Sequence, residues 1–421
     1  MTDFSRMTAL VYDRLLFPYM ATTLAKSFGR VLYFAPQQAD PFPIASKALW
    51  GSGLPNVERV PDFEDHIDAA DVIVFPDNGH AALQMYLRQH GYNVWGSAAS
   101  EQLELDREAL KRLQDAEGWA IPNTWLIRGV DALRAHFEDP ANDHQFVKLP
   151  GRYRGDAETH EHKNFSLSEP WLRYIEHRLW SLRDDVIFVI EGSIPNAIEV
   201  GYDGICIDGQ FPRVTMYGYE NKDVAYLGRV CAYNDLPPVL QDVNAQLAPA
   251  LNALGCRSMF STEVRVTEDG TGFLIDPTLR CGSPPSESML EIFSNWADII
   301  YEGAAGDVVD PIPVAKFAAQ LVLRSDWADE DRLALSFPEE MRHLVKLHGH
   351  AIIDGVDHVV AIGMDIIGSA VGLGETAEEA MAQATEVAKA IEGHDVTFDE
   401  HAFEVIKTRI TDGEDRGISW D

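Results

Sequence analysis

Four residues with oxygen-bearing or cationic side chains lie on two segments that are separated by the length of one β-hairpin. FSTEVRV carries Glu263, and LIDPTLRC carries Asp276, Thr278 and Arg280. A hairpin would bring Glu263 and Asp276 to the ends of adjacent strands, with Thr278 one alternation further on. Two carboxylates and a hydroxyl are hard ligands that suit Mg2+, and a guanidinium can bind a phosphate oxygen. The alternative is an ordinary hairpin whose acidic groups face water.

An ammonium group and a carboxylate stand near the ends of two apolar segments in the middle of the chain. Lys148 lies in QFVKL and Glu191 closes VIFVIE, and both patterns predict buried strands. A buried cation needs an anionic partner, because an isolated charge is costly to remove from water. His160 and His162 could bind a metal at i, i+2 spacing, but no third ligand is near them, so we expect solvent exposure.

The N-terminal third alternates apolar and helical patterns. RVLYFAP is its first clear strand, DVIVFPDNG is another, and the spacing predicts a parallel, doubly wound sheet. Ligands of such sheets bind at the carboxyl ends of strands, so residues 77–80 are placed to line a site. The alternative, which we favour, is that Asp77 or Asn78 caps the following helix.

Length, charge and cysteine content limit the classes of protein to which the chain can belong. The 421 residues predict about three domains. A formal net charge of −33 argues against a nucleic-acid backbone or an anionic membrane as partner. Without a signal-peptide pattern or an apolar run of about 20 residues, we expect a soluble, cytoplasmic protein. The four cysteines are expected to be reduced and structural.

IDPTLRCGSPPSE resembles the magnesium-binding signature of ATP-grasp ligases, in particular the glycinamide ribonucleotide synthetase (phosphoribosylamine-glycine ligase) branch. Asp276, Thr278 and Arg280 stand at its carboxylate, Asn and Arg positions. Ser283 and Pro285 stand where that branch has acidic residues. Because Thr is a weaker metal ligand than Asn, these departures weaken the expected metal site.

Two further segments extend the resemblance. In NVWGSAASEQLELDREALKRLQDAEGWAIPNTWLI, Arg107 occupies the position of the family's first nucleotide-contacting Lys. The alternative for Arg107 is a surface ion pair with Glu104 or Glu108. Near the end of the chain, GETAEEA resembles the C-terminal domain of the same branch, and Thr376 and Glu379 have the spacing of a capping box.

The resemblance implies an α/β protein of ATP-grasp architecture. Its parts would be an N-terminal doubly wound parallel-sheet (pre-ATP-grasp) domain over residues 1–112, an ATP-grasp domain over 113–326 and a small C-terminal α+β domain over 327–421. The two lobes of the nucleotide clamp would be a small lobe of about 120–195 and a large lobe of about 196–326.

The resemblance also implies residue roles. The nucleotide would be bound by Arg107, Lys148, Arg154, Glu191 and Glu199, and the metal by Glu263, Asp276 and Thr278. Arg280 and Lys222 would be catalytic, Lys222 from the YGYENKDVAYLGR segment between two strand-like segments. For that segment, a solvated loop whose charges pair locally is the alternative.

The expected activity is that of an ATP- and Mg2+-dependent carboxylate-amine ligase that proceeds through an acyl phosphate, with Mn2+ as an alternative metal. One alternative is a catalytically degenerate nucleotide-binding or structural protein, since Thr278 and Ser283 weaken the metal site. Another is a glycine-specific ligase acting on a non-ribosyl amine, because VYDRLLFPYMATTL lacks phosphate-cradling glycines. The expected partners are a small carboxylate and a small amine, and a homodimer is left open.

Overall fold

The structure, a computed structural model, describes residues 2–36, 49–149, 159–360 and 363–420. The helices are α1 (Pro18–Leu24), α2 (Ala81–Gln89), α3 (Gln102–Leu105), α4 (Arg107–Ala116), α5 (Val130–Phe137), α6 (Phe165–Leu179), α7 (Pro238–Ala253), α8 (Ser286–Ile292), α9 (Trp296–Ala305), α10 (Trp327–Glu330), α11 (Ala377–Ala390) and α12 (Ala402–Glu414). None of the helices within these ranges has the length and apolar character needed to cross a bilayer.

The strands are β1 (Thr8–Tyr12), β2 (Arg30–Phe34), β3 (Val57–Arg59), β4 (Val72–Val74), β5 (Val94–Trp95), β6 (Thr124–Arg128), β7 (Gln145–Lys148), β8 (Thr159–His162), β9 (Ile187–Gly192), β10 (Ile198–Ile207), β11 (Val214–Asn221), β12 (Ala225–Ala232), β13 (Arg257–Val266), β14 (Gly272–Thr278), β15 (Phe317–Arg324), β16 (Leu333–Ser336), β17 (Val345–Leu347), β18 (His350–Ile353), β19 (Val356–Val359), β20 (Ile366–Gly374) and β21 (Glu392–Gly393).

The chain divides into two compact units. The first comprises Met1–Ser100, Glu199–Thr262 and Thr278–Asp421, and the second comprises Glu101–Ile198 and Glu263–Pro277. The β13–β14 hairpin, predicted from the sequence, is present, and the chain passes from one unit to the other within β13. The domain boundaries placed at residues 112 and 326 stay a prediction.

A five-stranded sheet in the order β3-β2-β1-β4-β5 forms the N-terminal part of the first unit. All its pairings are parallel, as predicted. The expectation that RVLYFAP is the first strand was wrong, because β1 (TALVY) precedes it and pairs with both β2 and β4. Ala9, Leu10 and Val11 are all fully buried. A short strand that is buried on both faces shows no alternation for sequence reading to detect.

A larger antiparallel sheet in the first unit runs in the order β10-β11-β12-β15-β20-β17. Strands β11 and β12 pair from Val214–Ala232 to Asn221–Ala225. The segment interpreted as a loop between strands is therefore itself a tight hairpin, and only residues 222–224 form its turn. The capping box that begins α11 is confirmed: Thr376 Oγ1 accepts from Glu379 N, and Glu379 Oε2 accepts from Thr376 N.

Asp357 lies on β19 of a four-stranded antiparallel sheet in the first unit (β18-β19-β16-β21). The ionisation of its carboxyl group is expected to stabilise that unit. Asp357 accepts from Arg342 at 2.7 and 3.0 Å and lies 2.8 Å from His350 Nε2. Burial raises the pKa of Asp357, but His350 and Arg342 outweigh burial and bring it to about 2, below its ordinary 3.8. The carboxylate thus stabilises the fold above about pH 4, and this contribution is lost as pH falls towards 2.

We expect Asp357→Asn to lower the free energy of unfolding by about 1–2 kcal/mol at pH 6, and by progressively less below pH 4. Urea unfolding at several pH values measures this difference. Asp354→Asn is the matched control, because Asp354 is exposed in the adjacent turn at φ 52°, a conformation that Asn also tolerates. A deficit that does not depend on pH would contradict the electrostatic explanation.

The second unit is built on an antiparallel sheet in the order β6-β9-β7-β8. Helices α5 and α6 contribute to its core, which contains Leu133, Leu172 and Phe188. The expectation that His160 and His162 are solvent-exposed was wrong. His162 is fully buried and stacks on Phe137 at 3.7 Å, His160 stacks on Trp171 at 4.2 Å, and both rings lie 2.8 Å from Ser168 Oγ. The hydroxyl of Ser168 thus gives a polar partner to one nitrogen of the buried His162 ring and one of the half-buried His160 ring.

Candidate active site

Lys148 ends β7 and lies between two carboxylates of the second unit. Its Nζ is 2.9 Å from Asp276 Oδ2 on β14 and 3.1 Å from Glu191 Oε2 on β9. The side chains of Lys148 and Glu191 are only 5% and 4% exposed. The sequence predicts an anionic partner for Lys148. Within the protein itself, that partner is a pair of carboxylates.

Helix α4 adds two more cations to this group. Its buried residues recur at helical spacing (Arg107, Leu110, Lys111 and Gln114), so one face of the helix is turned inward. Lys111 Nζ lies 2.5 Å from Glu191 Oε1, and Arg107 Nη2 lies 4.0 Å from Asp276 Oδ2. The alternative of a surface ion pair with Glu104 or Glu108 was wrong about the position of Arg107, because its side chain is only 9% exposed.

Lys111 was missed by the sequence analysis. The available signal was its i+4 spacing from Arg107 on the same helix, which places both cations on one face. Three cationic and two anionic side chains meet here (Arg107, Lys111, Lys148, Glu191 and Asp276), and we call them the charge cluster. One positive charge is in excess, in a chain whose formal net charge is −33. The charge cluster can therefore attract an anion.

Burial and mutual pairing act in opposite directions on the pKa values of the charge cluster. Burial raises the pKa of Asp276, but Lys148 and Arg107 outweigh it and bring the pKa to about 2. Burial likewise opposes the charge of Glu191, yet Lys148 and Lys111 hold its pKa below the ordinary value. Burial lowers the pKa of Lys111 in spite of Glu191, whereas Asp276 and Glu191 raise the pKa of Lys148 against burial.

The β13–β14 hairpin offers oxygen ligands on the side that faces β7. Arg265 of β13 lies over the ring of Phe146 at 5.9 Å, and Glu263, two residues earlier, shares its face of the strand. Among the described residues, Asp276 contacts Lys148 and Arg107 through Oδ2. The described residues contain no cluster of three or more His, Cys, Asp or Glu that could hold a metal. The Mg2+ site expected at Glu263, Asp276 and Thr278 stays a prediction. Its oxygen-bearing side chains are of the type that Mg2+ prefers, and Mg2+ usually takes its other ligands from water and substrate phosphates.

In the first unit, the segment after the hairpin lies at the carboxyl end of β4. Cys281 N donates to Pro76 O at 2.9 Å. Arg280 Nε is 3.6 Å from Asp77 Oδ1, and its Nη1 donates to Cys281 O at 2.9 Å. Arg280 thus stands at the edge of a parallel sheet where ligands commonly bind.

The expectation that Asp77 or Asn78 caps α2 was wrong. The N-cap is His80, without a side-chain cap, and Asp77 Oδ1 accepts from Asn78 N instead. Asn78 is 2% exposed, and its Nδ2 and His80 Nε2 are buried polar atoms without a hydrogen-bond partner among the described residues. Because buried polar atoms are normally paired, these two are candidates to contact a ligand.

Two distant segments reach the same end of this sheet. Asp13, which follows β1, accepts from Tyr33 Oη at 2.7 Å and from Phe17 N at 3.0 Å. Burial raises the pKa of Asp13 to about 6, although Tyr33 lowers it. From the C-terminal region, Gly349 N donates to Leu15 O at 2.7 Å. The neighbouring His348 therefore lies beside the strand ends. The sequence did not predict this position, because His348 is far from these strands along the chain.

The other predicted residues lie elsewhere in the described chain or outside it. Glu199 is half-buried on β10, and Lys222 is exposed on the turn between β11 and β12, both in the first unit. Arg154 lies outside the described residues. The structure thus groups Arg107, Lys148, Glu191 and Asp276, and the binding and catalytic roles of all the predicted residues stay predictions.

No family model and no curated protein matches the chain. Solved structures do resemble it. Phosphoribosylamine-glycine ligase from Thermotoga maritima superposes with a TM-score of 0.69 at 17% identity, over 93% of this chain and 98% of that one. The biotin carboxylase domain of 2-oxoglutarate carboxylase from Hydrogenobacter thermophilus gives 0.66 at 11% identity, over 96% and 99%. N5-carboxyaminoimidazole synthetase from Staphylococcus aureus gives 0.61 at 13% identity, over 90% and 96%. The predicted α/β fold class is confirmed, because the chain shares the fold of these three structures.

Proposed function

We propose that this protein is an ATP- and Mg2+-dependent ligase that joins a carboxylate to an amine. The observation that carries the proposal is the charge cluster, in which Lys148 lies between Asp276 and Glu191, with Arg107 and Lys111 alongside. Its excess positive charge suits a polyphosphate. The names of the structural neighbours support the same choice: one is a ligase of glycine, one was solved with MgADP and bicarbonate, and one with ADP.

In this proposal the charge cluster binds and orients the phosphates. Lys148, Arg107 and Lys111 contact phosphate oxygens, and Glu191 acts by fixing the two lysines. Glu199 and Arg154 add nucleotide contacts. Asp276, Glu263 and Thr278 would hold Mg2+, which supplies charge neutralisation on phosphate oxygens, and Mn2+ would fit the same oxygen ligands. Arg280 takes up charge on the transferred group.

The chemistry needs no side-chain nucleophile. A carboxylate oxygen attacks the γ-phosphorus of ATP and ADP leaves, which forms an acyl phosphate. The amine nitrogen then attacks the acyl carbon, and inorganic phosphate leaves as the amide forms. Catalysis is positioning and charge neutralisation, to which preorganised cations contribute most in a site that excludes water.

The substrates are tested by a screen. We expect one member of a panel of amino acids, glycine included, to stimulate ADP formation in the presence of an amine pool, with ADP and phosphate released in equal amounts. Calorimetric titration with a non-hydrolysable ATP analogue should show binding that depends on Mg2+. Metal-independent binding without stimulated ADP formation would favour a degenerate nucleotide-binding protein and would refute the ligase proposal.

We place the acceptor amine at the strand ends of the first unit, near residues 77–80. His80→Ala is then expected to slow the amine-dependent step about tenfold or more, while ATP-analogue affinity stays unchanged, because His80 Nε2 would lose a ligand contact. Steady-state amide synthesis and calorimetry measure the two effects. His90→Ala, at the exposed opposite end of α2, is the control. Lys222→Ala examines the predicted role of Lys222 by the same assays. An unimpaired His80→Ala enzyme would show that the acceptor binds elsewhere.

A further inference from the structure

Ser283, Glu287 and His348 form a polar group in the first unit, outside the roles assigned above. Ser283 Oγ donates to Glu287 Oε1 and lies 3.3 Å from His348 Nε2, and that nitrogen is 3.6 Å from Glu287 Oε1. Glu287 is fully buried and His348 is 2% exposed, whereas Ser283 is half-buried. Of these three residues, Ser283 is the one that a bound molecule could touch.

The geometry differs from that of an activated serine nucleophile. In such a site the histidine lies between the hydroxyl and the carboxylate and uses both ring nitrogens. Here Ser283 and Glu287 both face Nε2, and Nδ1 lies 3.3 Å from the carbonyl oxygen of Ile366. The serine hydroxyl is therefore bonded directly to the carboxylate. This arrangement suits a hydroxyl that passes a proton to Glu287.

The surroundings keep Glu287 in its ionised form. Burial raises its pKa, but His348 and Ser283 outweigh burial and hold the pKa below its ordinary value, so the group is ionised at neutral pH. Glu287 also lies in the first turn of α8, where the backbone N–H groups favour a negative charge. Other groups around this carboxylate include Tyr19 of α1, Cys281, Ser286 and Lys346.

The group lies at the ligand-binding edge of the parallel sheet. Cys281, two residues before Ser283, bonds to Pro76 after β4, and Gly349, next to His348, bonds to Leu15 after β1. An acceptor amine placed near residues 77–80 would therefore lie on the same edge of the first unit as Ser283. These hydrogen bonds bring the serine, which the ligase signature does not require, towards the proposed acceptor.

We propose that Ser283 and Glu287 form a proton relay that deprotonates the attacking amine, with His348 as the residue that positions Glu287. The inference rests on the proposed ligase function. As the nitrogen bonds to the acyl carbon and the carbon–oxygen bond to phosphate breaks, the nitrogen becomes cationic and acidic. It gives one proton to Ser283 Oγ, and Ser283 gives its own hydroxyl proton to Glu287. Because the donor is strongly acidic at that moment, a carboxylate of low pKa is a sufficient base.

Hydroxylamine distinguishes the relay from a structural role. It is much less basic than an alkylamine, so after attack its nitrogen loses a proton to water unaided. With the carboxylate that stimulates ADP formation, we expect Ser283→Ala to reduce amide synthesis at least about 100-fold. The same variant should form the hydroxamate at close to the wild-type rate.

Ser283→Thr, which keeps a hydroxyl, should restore most of the amide synthesis. Glu287→Gln should behave like Ser283→Ala, and His348→Asn should show the same pattern with a smaller loss.

Ser286→Ala is the matched control, because Ser286 Oγ lies 3.4 Å from Glu287 Oε2 but its side chain is fully buried and cannot touch a substrate. Equal losses of amide and hydroxamate in Ser283→Ala, with Ser286→Ala unaffected, would overturn the relay while leaving the ligase function standing. If no carboxylate of the panel stimulates ADP formation by the wild-type enzyme with either hydroxylamine or the amine pool, the ligase function itself fails and the relay with it.

Discussion

Asp276→Asn is expected to reduce ATP-dependent ADP formation on the order of 10³-fold while the protein stays folded. The amide keeps the shape of the carboxylate but removes the charge that pairs with Lys148 at 2.9 Å and that would hold Mg2+. It also adds one more positive charge to the excess in the charge cluster, so Mg2+ would be held less tightly while the electrostatic attraction for phosphate remains. ADP release under saturating ATP and Mg2+ measures the loss, and circular dichroism shows whether the fold is kept.

A control substitution in the same hairpin separates the expected loss from a general effect of neutralising an acidic residue. Glu268→Gln changes an exposed carboxylate in the turn of the same hairpin and should leave activity unchanged. Affinity for the ATP analogue without Mg2+ should be equal to or higher than that of the wild type in Asp276→Asn. Full turnover in Asp276→Asn would remove the basis of the ligase assignment.

Local patterns were sufficient to predict the elements that carry most of the charge cluster. The hairpin that holds Asp276 has a turn with Gly and Asp between two alternating segments, and the strands that hold Lys148 and Glu191 are apolar runs of typical length. The sequence predicts that Lys148 has an anionic partner, because a buried lysine needs an anion. It does not identify the partner, since nothing local in QFVKL indicates Glu191 and Asp276.

The parts that the sequence analysis missed depend on contacts between distant segments. Strand β1 is recognisable once β2 and β4 are known to lie on both sides of it, because burial on two faces removes the alternation that marks a strand. His348 reaches Ser283 and Glu287 across about 60 residues of chain, and no spacing rule connects them. The β11–β12 hairpin was interpreted as a loop because its turn residues are polar. Tyr217 and Tyr226 of its two strands are nevertheless buried in the sheet.

Lys148→Met is expected to weaken ATP-analogue binding by at least about tenfold and to lower the free energy of unfolding by about 3 kcal/mol. The ammonium of Lys148 contacts both carboxylates of the charge cluster, and its side chain is 5% exposed. Removing it leaves Asp276 and Glu191 with less compensation in a buried site and cancels the excess positive charge. Calorimetry and urea unfolding measure the two effects. Lys163→Met, an exposed lysine of the same unit, is the control and should change neither.

A double substitution separates the contribution of Lys148 to stability from its contribution to binding. In Lys148→Met with Glu191→Gln, one buried positive charge and one buried negative charge are removed together, so part of the lost unfolding free energy should return. Nucleotide affinity should not return, because the cation that contacts phosphate is still absent. If the double variant instead recovers affinity along with stability, then Lys148 serves only to neutralise Glu191 and Asp276, and the phosphates must be bound by Arg107 and Lys111.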